Sequence, residues 1–478
     1  MTLFGTAGIR GPVATDVTPA LALSVGQAAG SPGESFVVGY DGRQSGPALT
    51  AALTAGLASS GSSVVRVGMV PTPALAYASR GRRGVMVTAS HNPPADNGLK
   101  LFDDGVEYDS DAEEAVATSV DPRIGADGQA NEADAVTTHT DASNAVAWHE
   151  WGEIGSESVL DAYRDAVVSF VRDGDAVPTD HSPEPLAGLR IAVDCGTGVG
   201  GLATPHVLDR LGADVTAVNA NVDGHFPARP SKPTPETLAS FSSVVADSDV
   251  DCGLAQDGDA DRLVVLGPDG AVVHEDTVLA AVAASYTARA TADDPVVVTT
   301  PNASGRIDEQ VTAAGGRIER VRLGALHEGI ARVRETSGTV VFAAEPWKHI
   351  HPAFGGWIDG VLSAAVVATL VAEAGSVDAL REPITERPYR KVSVDCPDHA
   401  KPAVMDRLES RLPDGFPDAS VETDYGVRLA FPDASWILVR PSGTEPYVRV
   451  YAESEDVDDL VADVTETVEQ AIADGSCQ

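Results

Sequence analysis

One pattern occurs three times along this chain. An apolar run is followed by a loop of small, turn-forming residues, a helical stretch, a glycine stop and a second apolar run. The first copy predicts a strand over 35–40, a loop over 41–46, a helix over 47–60, a stop at Gly61 and a strand over 63–67. The second places strands over 189–194 and 214–218 around a Gly-rich loop and a helix over 203–211 that stops at Gly212. The third places strands over 295–300 and 317–321 around a helix that ends near Ala314, before Gly315-Gly316. Each copy reads as a βαβ unit, which needs a crossover and feeds a parallel sheet. Three copies at wide spacing predict three related α/β domains with mixed sheets. From about Thr385 the pattern changes: strands over 391–395 and 436–440 alternate with helices over 401–411 and 457–473. That order predicts a smaller C-terminal α+β domain. The 478 residues accommodate about three or four domains, and four are expected, with limits of 1–155, 156–268, 269–380 and 381–478. The acidic Ala/Ser/Thr stretch over 110–157 lacks long apolar runs and is expected at the periphery. The apolar spacing over 158–172 predicts a helix linking the first two domains.

Three loops that follow apolar runs carry chemistry. After Val85-Met86-Val87 comes Thr88-Ala89-Ser90-His91-Asn92-Pro93, running on to Gly98-Leu99-Lys100. Its prolines, asparagines and glycine predict a loop. It sets a hydroxyl (Ser90) beside two proton carriers (His91, Lys100) just past a strand end, where open α/β sheets bind ligands. After Cys252-Gly253-Leu254-Ala255 comes Asp257-Gly258-Asp259-Ala260-Asp261-Arg262. Three carboxylates at i, i+2 and i+4 repel one another unless a cation lies among them, and hard oxygen ligands select Mg²⁺ or Ca²⁺. The EF-hand pattern fails, because Arg262 and Pro268 stand where it needs Gly and Glu. Mg²⁺ shared with a phosphate suits the few ligands and the arginine. After the strand over 436–440 comes Arg440-Pro441-Ser442-Gly443-Thr444-Glu445. An arginine, two hydroxyls and backbone NH groups around a glycine form a compact phosphate cradle. A fourth segment, Phe4-Gly5-Thr6-Ala7-Gly8-Ile9-Arg10-Gly11, predicts a loop whose backbone approaches an anion, with Arg10 as its charge.

Charge limits the partners. Asp and Glu number 71 against 33 Lys and Arg, for a formal net charge of −38. That excess argues against nucleic acid, which needs basic grooves, and against anionic membrane surfaces. A halophilic source explains it, since high salt screens the self-repulsion and an acidic surface maintains solubility. No apolar run reaches the roughly 18 residues of a membrane span. No signal peptide opens the sequence, so a cytoplasmic protein is expected. Cys195, Cys252, Cys396 and Cys477 are scattered without a C-x-x-C pair, and Cys195 and Cys252 read as core thiols. Lysine occurs at only five positions, 100, 232, 348, 391 and 401, so Lys100 and Lys348, both near motifs, carry weight. One nucleophile loop, one metal loop and one phosphate cradle together describe phosphoryl transfer on a substrate that already bears a phosphate.

On these motifs the chain resembles the α-D-phosphohexomutase superfamily, which includes phosphoglucomutases, phosphomannomutases and phosphoglucosamine mutases, most of all its archaeal branch. The resemblance implies four domains around a central cleft and an intramolecular phosphotransferase. The enzyme would interconvert hexose 1-phosphate and 6-phosphate through a phosphoserine and a 1,6-bisphosphate, which also serves as activator. It implies Ser90 as the phosphoryl carrier and Asp257, Asp259 and Asp261 as Mg²⁺ ligands together with the Ser90 phosphate. Arg10 and Arg262 would be charge clamps, and His91 and Lys100 candidates for proton handling and polarisation. Arg440, Ser442, Gly443 and Thr444 would grip the phosphate that is not reacting. The sugar-reading loop usually runs Gly-Glu-x-Ser-Gly-His and here reads Ala344-Glu345-Pro346-Trp347-Lys348-His349. Glu345 and His349 match, Trp347 can stack on a sugar face and Lys348 can contact phosphate; Gly324 is a further sugar-loop position. The departure leaves the sugar open among mannose, glucosamine and glucose phosphates. Two other readings are a Mg²⁺-dependent sugar-phosphate phosphatase using the same phosphoserine, and a non-enzymatic sugar-phosphate sensor. A phosphatase has no need of the 440–444 cradle, and a sensor would have lost Ser90 or an aspartate. The sequence sets no oligomeric state.

Overall fold

A computed structural model describes residues 3–5, 8–120, 145–174, 182–442 and 445–476. By packing the chain divides into two compact units: residues 1–273 with 347–380, and residues 274–346 with 381–478. Residues 347–380, expected in a third domain, thus pack within the first unit.

Unit 1 holds two sheets. The first contains β1 (Ile9–Pro12), β2 (Ser35–Tyr40), β3 (Ser63–Met69), β4 (Arg83–Val87), β5 (Asp96–Asp103), β6 (Val106–Glu107) and β7 (Ile154–Ser156). Its order is β1-β5-β4-β2-β3-β7, with β6 beside β5. The β4-β2-β3-β7 half is parallel, and β1, β5 and β4 pair antiparallel. Helices Pro19–Ala29 and Gly46–Ser59 cover it, burying Leu21, Val25, Leu53 and Leu57 against Phe36, Val38 and Val85. The second sheet contains β8 (Arg190–Asp194), β9 (Asp214–Val218), β10 (Cys252–Ala255) and β11 (Val264–Leu266), in the order β11-β10-β8-β9. Only β11 runs antiparallel. The expected linking helix forms over Leu160–Arg172.

In unit 2, β12 (Pro295–Thr299) lies between β13 (Arg317–Arg320) and β14 (Thr339–Glu345), parallel to both. The chain passes back to unit 1 at Trp347, where β15 (Lys348–Ile350) begins. The C-terminal part of unit 2 is an antiparallel sheet of β16 (Tyr389–Asp395), β17 (Ser420–Glu422), β18 (Val427–Ala430), β19 (Trp436–Pro441) and β20 (Tyr447–Glu453), in the order β16-β20-β19-β18-β17. Helices Lys401–Gly415 and Val457–Ser476 bury Val404, Leu408, Val464 and Val468 against Ile437, Val439 and Val450. Mixed α/β sheets followed by a C-terminal α+β part agree with the expected fold class.

Two local expectations change. Of the acidic stretch 110–157, the described part contains helix Ser110–Ser119 and edge strand β7; residues 121–144 lie outside the described residues. The loop read over Thr88–Lys100 closes early, because β5 starts at Asp96 and Lys100 sits within it, opposite Met86. Gly98 permits this hairpin: a Cβ there would lie 2.3 Å from the Ile9 carbonyl oxygen and 2.5 Å from that of Thr88. Among the described residues no helix is long and apolar enough to cross a membrane.

Candidate active site

The Ser90 loop and the aspartate loop meet in unit 1. Each leaves the end of a buried strand, β4 or β10, and the apolar runs that form those strands fix where the loops begin. Ser90 Oγ donates to Asp257 Oδ2 at 2.6 Å. Ser90 has φ of 48°, a left-handed conformation that costs a non-glycine residue free energy. Bonds to its own backbone hold it there. Its NH donates to Thr88 Oγ1 at 2.8 Å, and its carbonyl accepts from Arg43 Nη2 and Ser231 Oγ, each at 2.9 Å. Ala260 in the aspartate loop (61°) and Trp347 (67°) share this backbone region.

Asp257, Asp259 and Asp261 are fully buried, and each offers an oxygen within 4.8 Å of the others'. Asp259 Oδ2 accepts from Thr72 Oγ1 at 2.7 Å, with Thr88 Oγ1 at 3.3 Å. Asp261 Oδ2 accepts from Lys100 Nζ at 3.3 Å. Asp259 Oδ1 and Asp261 Oδ1 are buried without a hydrogen-bond partner. Burial, then Asp261 and Asp259, push the Asp257 carboxyl well above the usual carboxylate range. At Asp261 burial is outweighed by Lys100, Lys348, Arg262 and Arg10, which together hold it low. Two unpartnered oxygens in a buried three-carboxylate cluster fit a hard divalent cation. The expected Mg²⁺ loop is therefore compatible with its surroundings.

The cations gather from several elements. Arg262 Nε lies 3.6 Å from Asp257 Oδ2 and 3.8 Å from Asp261 Oδ1. Lys100 Nζ sits between Glu107 at 3.1 Å and Asp261 at 3.3 Å. Burial disfavours its charge, but Glu107, Asp261 and Asp259 overcome that and raise its pKa. Arg10 lies on β1 opposite Gly98, whose missing side chain leaves room for the arginine stem. His91 Nδ1 is 3.5 Å from Ser90 Oγ. Burial and then Arg262 and Arg10 push its pKa down to about 3, so the imidazole is neutral.

The residues that shape the serine loop escaped sequence reasoning. Arg43, in the loop after β2, is buried and donates to the carbonyls of Ser90, Asn92, Pro93 and Asp96, and through Nε to Asp41 Oδ2 at 3.1 Å. Asp41 also accepts from Thr88 Oγ1 at 2.8 Å. Ser231 holds both loops, donating to the Ser90 carbonyl and accepting from Gly258 N at 2.9 Å. The one sequence signal for Arg43 is an arginine within a small-residue loop at a strand end.

The loop expected to read the sugar divides between the units. Glu345 lies in unit 2, where Oε2 accepts from the Gly324 NH at 3.2 Å. Trp347, Lys348 and His349 lie in unit 1. The Trp347 ring packs on the cluster containing Leu238, Phe241 and Leu266, with Lys232 Nζ 5.8 Å from its centroid. His349 is buried, and burial lowers its pKa to about 4. In unit 2 Arg440 Nη2 donates to Tyr451 Oη at 3.0 Å, and its Nε has no hydrogen-bond partner. Beside Arg440 lies a cleft of about 370 Å³, also lined by Asn302, Arg322 and Tyr425, none of them anticipated. Ser442 Oγ accepts from Glu445 N at 3.2 Å. Lys401, also missed, donates to the Ser442 carbonyl at 2.7 Å and the Glu445 carbonyl at 2.6 Å. Gly443 and Thr444 lie outside the described residues.

Comparisons with known proteins agree with this architecture. Models of the phosphoglucomutase/phosphomannomutase family match residues 1–123 (alpha/beta/alpha domain I), 161–270 (alpha/beta/alpha domain II) and 392–471 (C-terminal domain). A phosphopentomutase from Thermococcus kodakarensis is 39% identical, over 95% of this chain and 94% of its own. A protein named "Probable phosphoglucosamine mutase" from Methanopyrus kandleri is 38% identical over the same shares. The crystal structure of a phosphoglucomutase/phosphomannomutase family protein from Burkholderia thailandensis superposes with a TM-score of 0.79 at 27% identity, covering 99% of this chain and 98% of that one. With these matches and a buried serine–aspartate centre in hand, the chain belongs to the α-D-phosphohexomutase superfamily.

Proposed function

We propose that the chain interconverts hexose 1-phosphates and 6-phosphates through a phosphoserine at Ser90 and a hexose 1,6-bisphosphate. The observation that carries this reading is Ser90 Oγ held 2.6 Å from Asp257, in a left-handed backbone, at the edge of a buried three-aspartate cluster. Mg²⁺ held by Asp257, Asp259 and Asp261 with an oxygen of the Ser90 phosphate would supply Lewis-acid neutralisation of charge on the transferring group.

The protein groups divide the remaining work. A free hydroxyl of the bound monophosphate attacks phosphorus, its new O–P bond forms, and the bond to Ser90 Oγ breaks. His91 Nδ1, 3.5 Å from Ser90 Oγ, is placed to relay a proton between the substrate hydroxyl and the serine oxygen. Lys100, fixed between Glu107 and Asp261, remains an ammonium and acts as a charge, not a base. Arg10 and Arg262 steady the phosphoryl oxygens. Returning the other phosphate of the bisphosphate to Ser90 requires a second phosphate-binding place. Arg440 and Ser442 with Gly443 and Thr444 supply it, while Glu345, Gly324 and His349 contact the sugar. A hexose 1,6-bisphosphate recharges Ser90 and so acts as activator. A pentose phosphate is the second substrate reading, favoured by the 39% identity to a phosphopentomutase across 95% of the chain.

The test compares turnover of glucose, mannose, glucosamine and ribose 1-phosphates, with Mg²⁺ and the matching bisphosphate. Isomerisation of at least one, with little free phosphate, is expected. Release of inorganic phosphate in step with substrate loss would overturn the mutase in favour of a phosphatase.

A further inference from the structure

We propose that Lys348 belongs to the phosphoryl-transfer centre, where it faces the transferring group beside Arg262, and does not read the sugar. This rests on the mutase reading and adds a residue to its catalytic set. Arg262 and Lys348 form an antiparallel β-bridge. Residues directly opposite in such a pair project to the same face, with Cβ atoms about 4.5–5.5 Å apart. The Arg262 side chain runs to Asp257 and Asp261, so the Lys348 stem starts out over the same carboxylates.

Trp347 sits in a turn with φ of 67°, its partly buried ring packs on the cluster of Leu238, Phe241 and Leu266, and the strand resumes at Lys348. Two backbone bonds pin the register: Leu263 N to the Trp347 carbonyl at 3.0 Å and Asp359 N to the His349 carbonyl at 2.8 Å.

Charge balance gives the ammonium a task. Asp257, Asp259, Asp261 and Glu107 are four carboxylates, and Arg10, Lys100 and Arg262 are three cations. Lys348 makes the fourth, so a divalent cation and a serine-bound phosphate dianion enter a centre already near neutrality. A cation here opposes metal binding and favours phosphoryl transfer. Substitution should therefore move the two in opposite directions.

The experiment uses full-length Lys348→Met and Lys348→Arg. Mg²⁺ uptake is titrated calorimetrically on protein whose Ser90 phosphorylation is known from intact mass, and kcat and KM are measured for the best monophosphate. For Lys348→Met, Mg²⁺ should bind about three- to tenfold tighter, kcat should fall roughly 10- to 100-fold, and KM should stay within about threefold. Lys348→Arg should recover most of kcat. A raised KM with unchanged kcat and Mg²⁺ affinity would overturn the proposal in favour of a substrate contact. Loss of Mg²⁺ affinity, kcat and folded protein together would overturn it in favour of a structural role. Wild-type protein that takes up no Mg²⁺ overturns the metal-loop reading beneath it, a failure distinct from unmoved affinity in the variant.

Discussion

Arg43→Met is the most demanding test of how the serine loop is built. Arg43 touches no reacting atom, yet it donates to four carbonyls of the loop that carries Ser90 and to the Asp41 carboxylate. Both side chains of the Arg43–Asp41 pair are wholly buried. Methionine preserves much of the stem's volume but removes every donor. Breaking one partner of a buried ion pair costs about 3–5 kcal/mol, largely because the remaining charge is buried alone. Burial has already pushed Asp41 up to about 6 with Arg43 and Thr88 opposing it. The stranded loop carbonyls add to the loss, although such terms do not sum independently. A destabilisation of about 4 kcal/mol or more is expected.

That figure can be separated from simple loss of packing. If the cost lies in an unpaired Asp41, then Asp41→Asn in the Arg43→Met background should recover about 2 kcal/mol, while Asp41→Asn alone destabilises. A carboxyl whose folded pKa lies above its unfolded value near 3.8 favours the folded state when protonated. Stability is therefore lost as pH rises from about 4 through the folded pKa. Without Arg43 that pKa moves further up, so the single variant should lose stability across a wider window reaching past pH 6. The double variant should show no such loss from this site. Activity should stay low in both, because neither restores the bonds on the Ser90, Asn92, Pro93 and Asp96 carbonyls. The assay is urea denaturation between pH 5 and 8 in high salt, with steady-state kinetics on the same samples. Arg43→Met within about 1 kcal/mol of wild type, or an Asp41→Asn effect that simply adds to it, would refute this account.

Ser90→Ala should abolish turnover and phosphate incorporation while Mg²⁺ binding largely survives; wild-type-like activity would remove Ser90 from its role. Asp259→Asn should weaken Mg²⁺ dependence and rate together, as read from activity against Mg²⁺ concentration. Arg440→Ala should raise KM for the monophosphate and release more bisphosphate into solution, seen as product escaping in a chase experiment; unchanged kinetics would count against the cradle. In unit 2, burial raises buried Asp276 to about 7, and its Oδ1 lacks a partner. It therefore costs stability as pH rises from about 4 through 7, and Asp276→Asn should raise the melting temperature at pH 8 and leave it nearly unchanged at pH 4.

What could be read in advance follows from the range of the forces involved. The Asp257–Asp261 spacing was legible because carboxylate repulsion acts within five residues and needs no partner strand to be recognised. The βαβ units were legible for the same reason, since apolar runs, helical spacing and glycine stops are local. Arg43 was not, because its partners are carbonyls 47 to 53 positions away, and a carbonyl leaves no mark in a sequence. Lys100 was placed in a loop because Gly98 reads as a turn. Its real task, letting β5 lie against Ile9 and Thr88, appears only once β1 is in place. Trp347 and Lys348 make the distinction sharpest. Read side by side in one motif, they suggest two substrate contacts, a ring that stacks on the sugar and a lysine that meets phosphate. A turn at Trp347 precedes the strand that begins at Lys348, and the bridge to Arg262 sets Lys348 beside the phosphoryl centre while the Trp347 ring packs on the core cluster. The departure from the usual loop is thus two changes with separate causes: a tryptophan that fills the packing of unit 1, and a lysine that alters the charge beside Ser90.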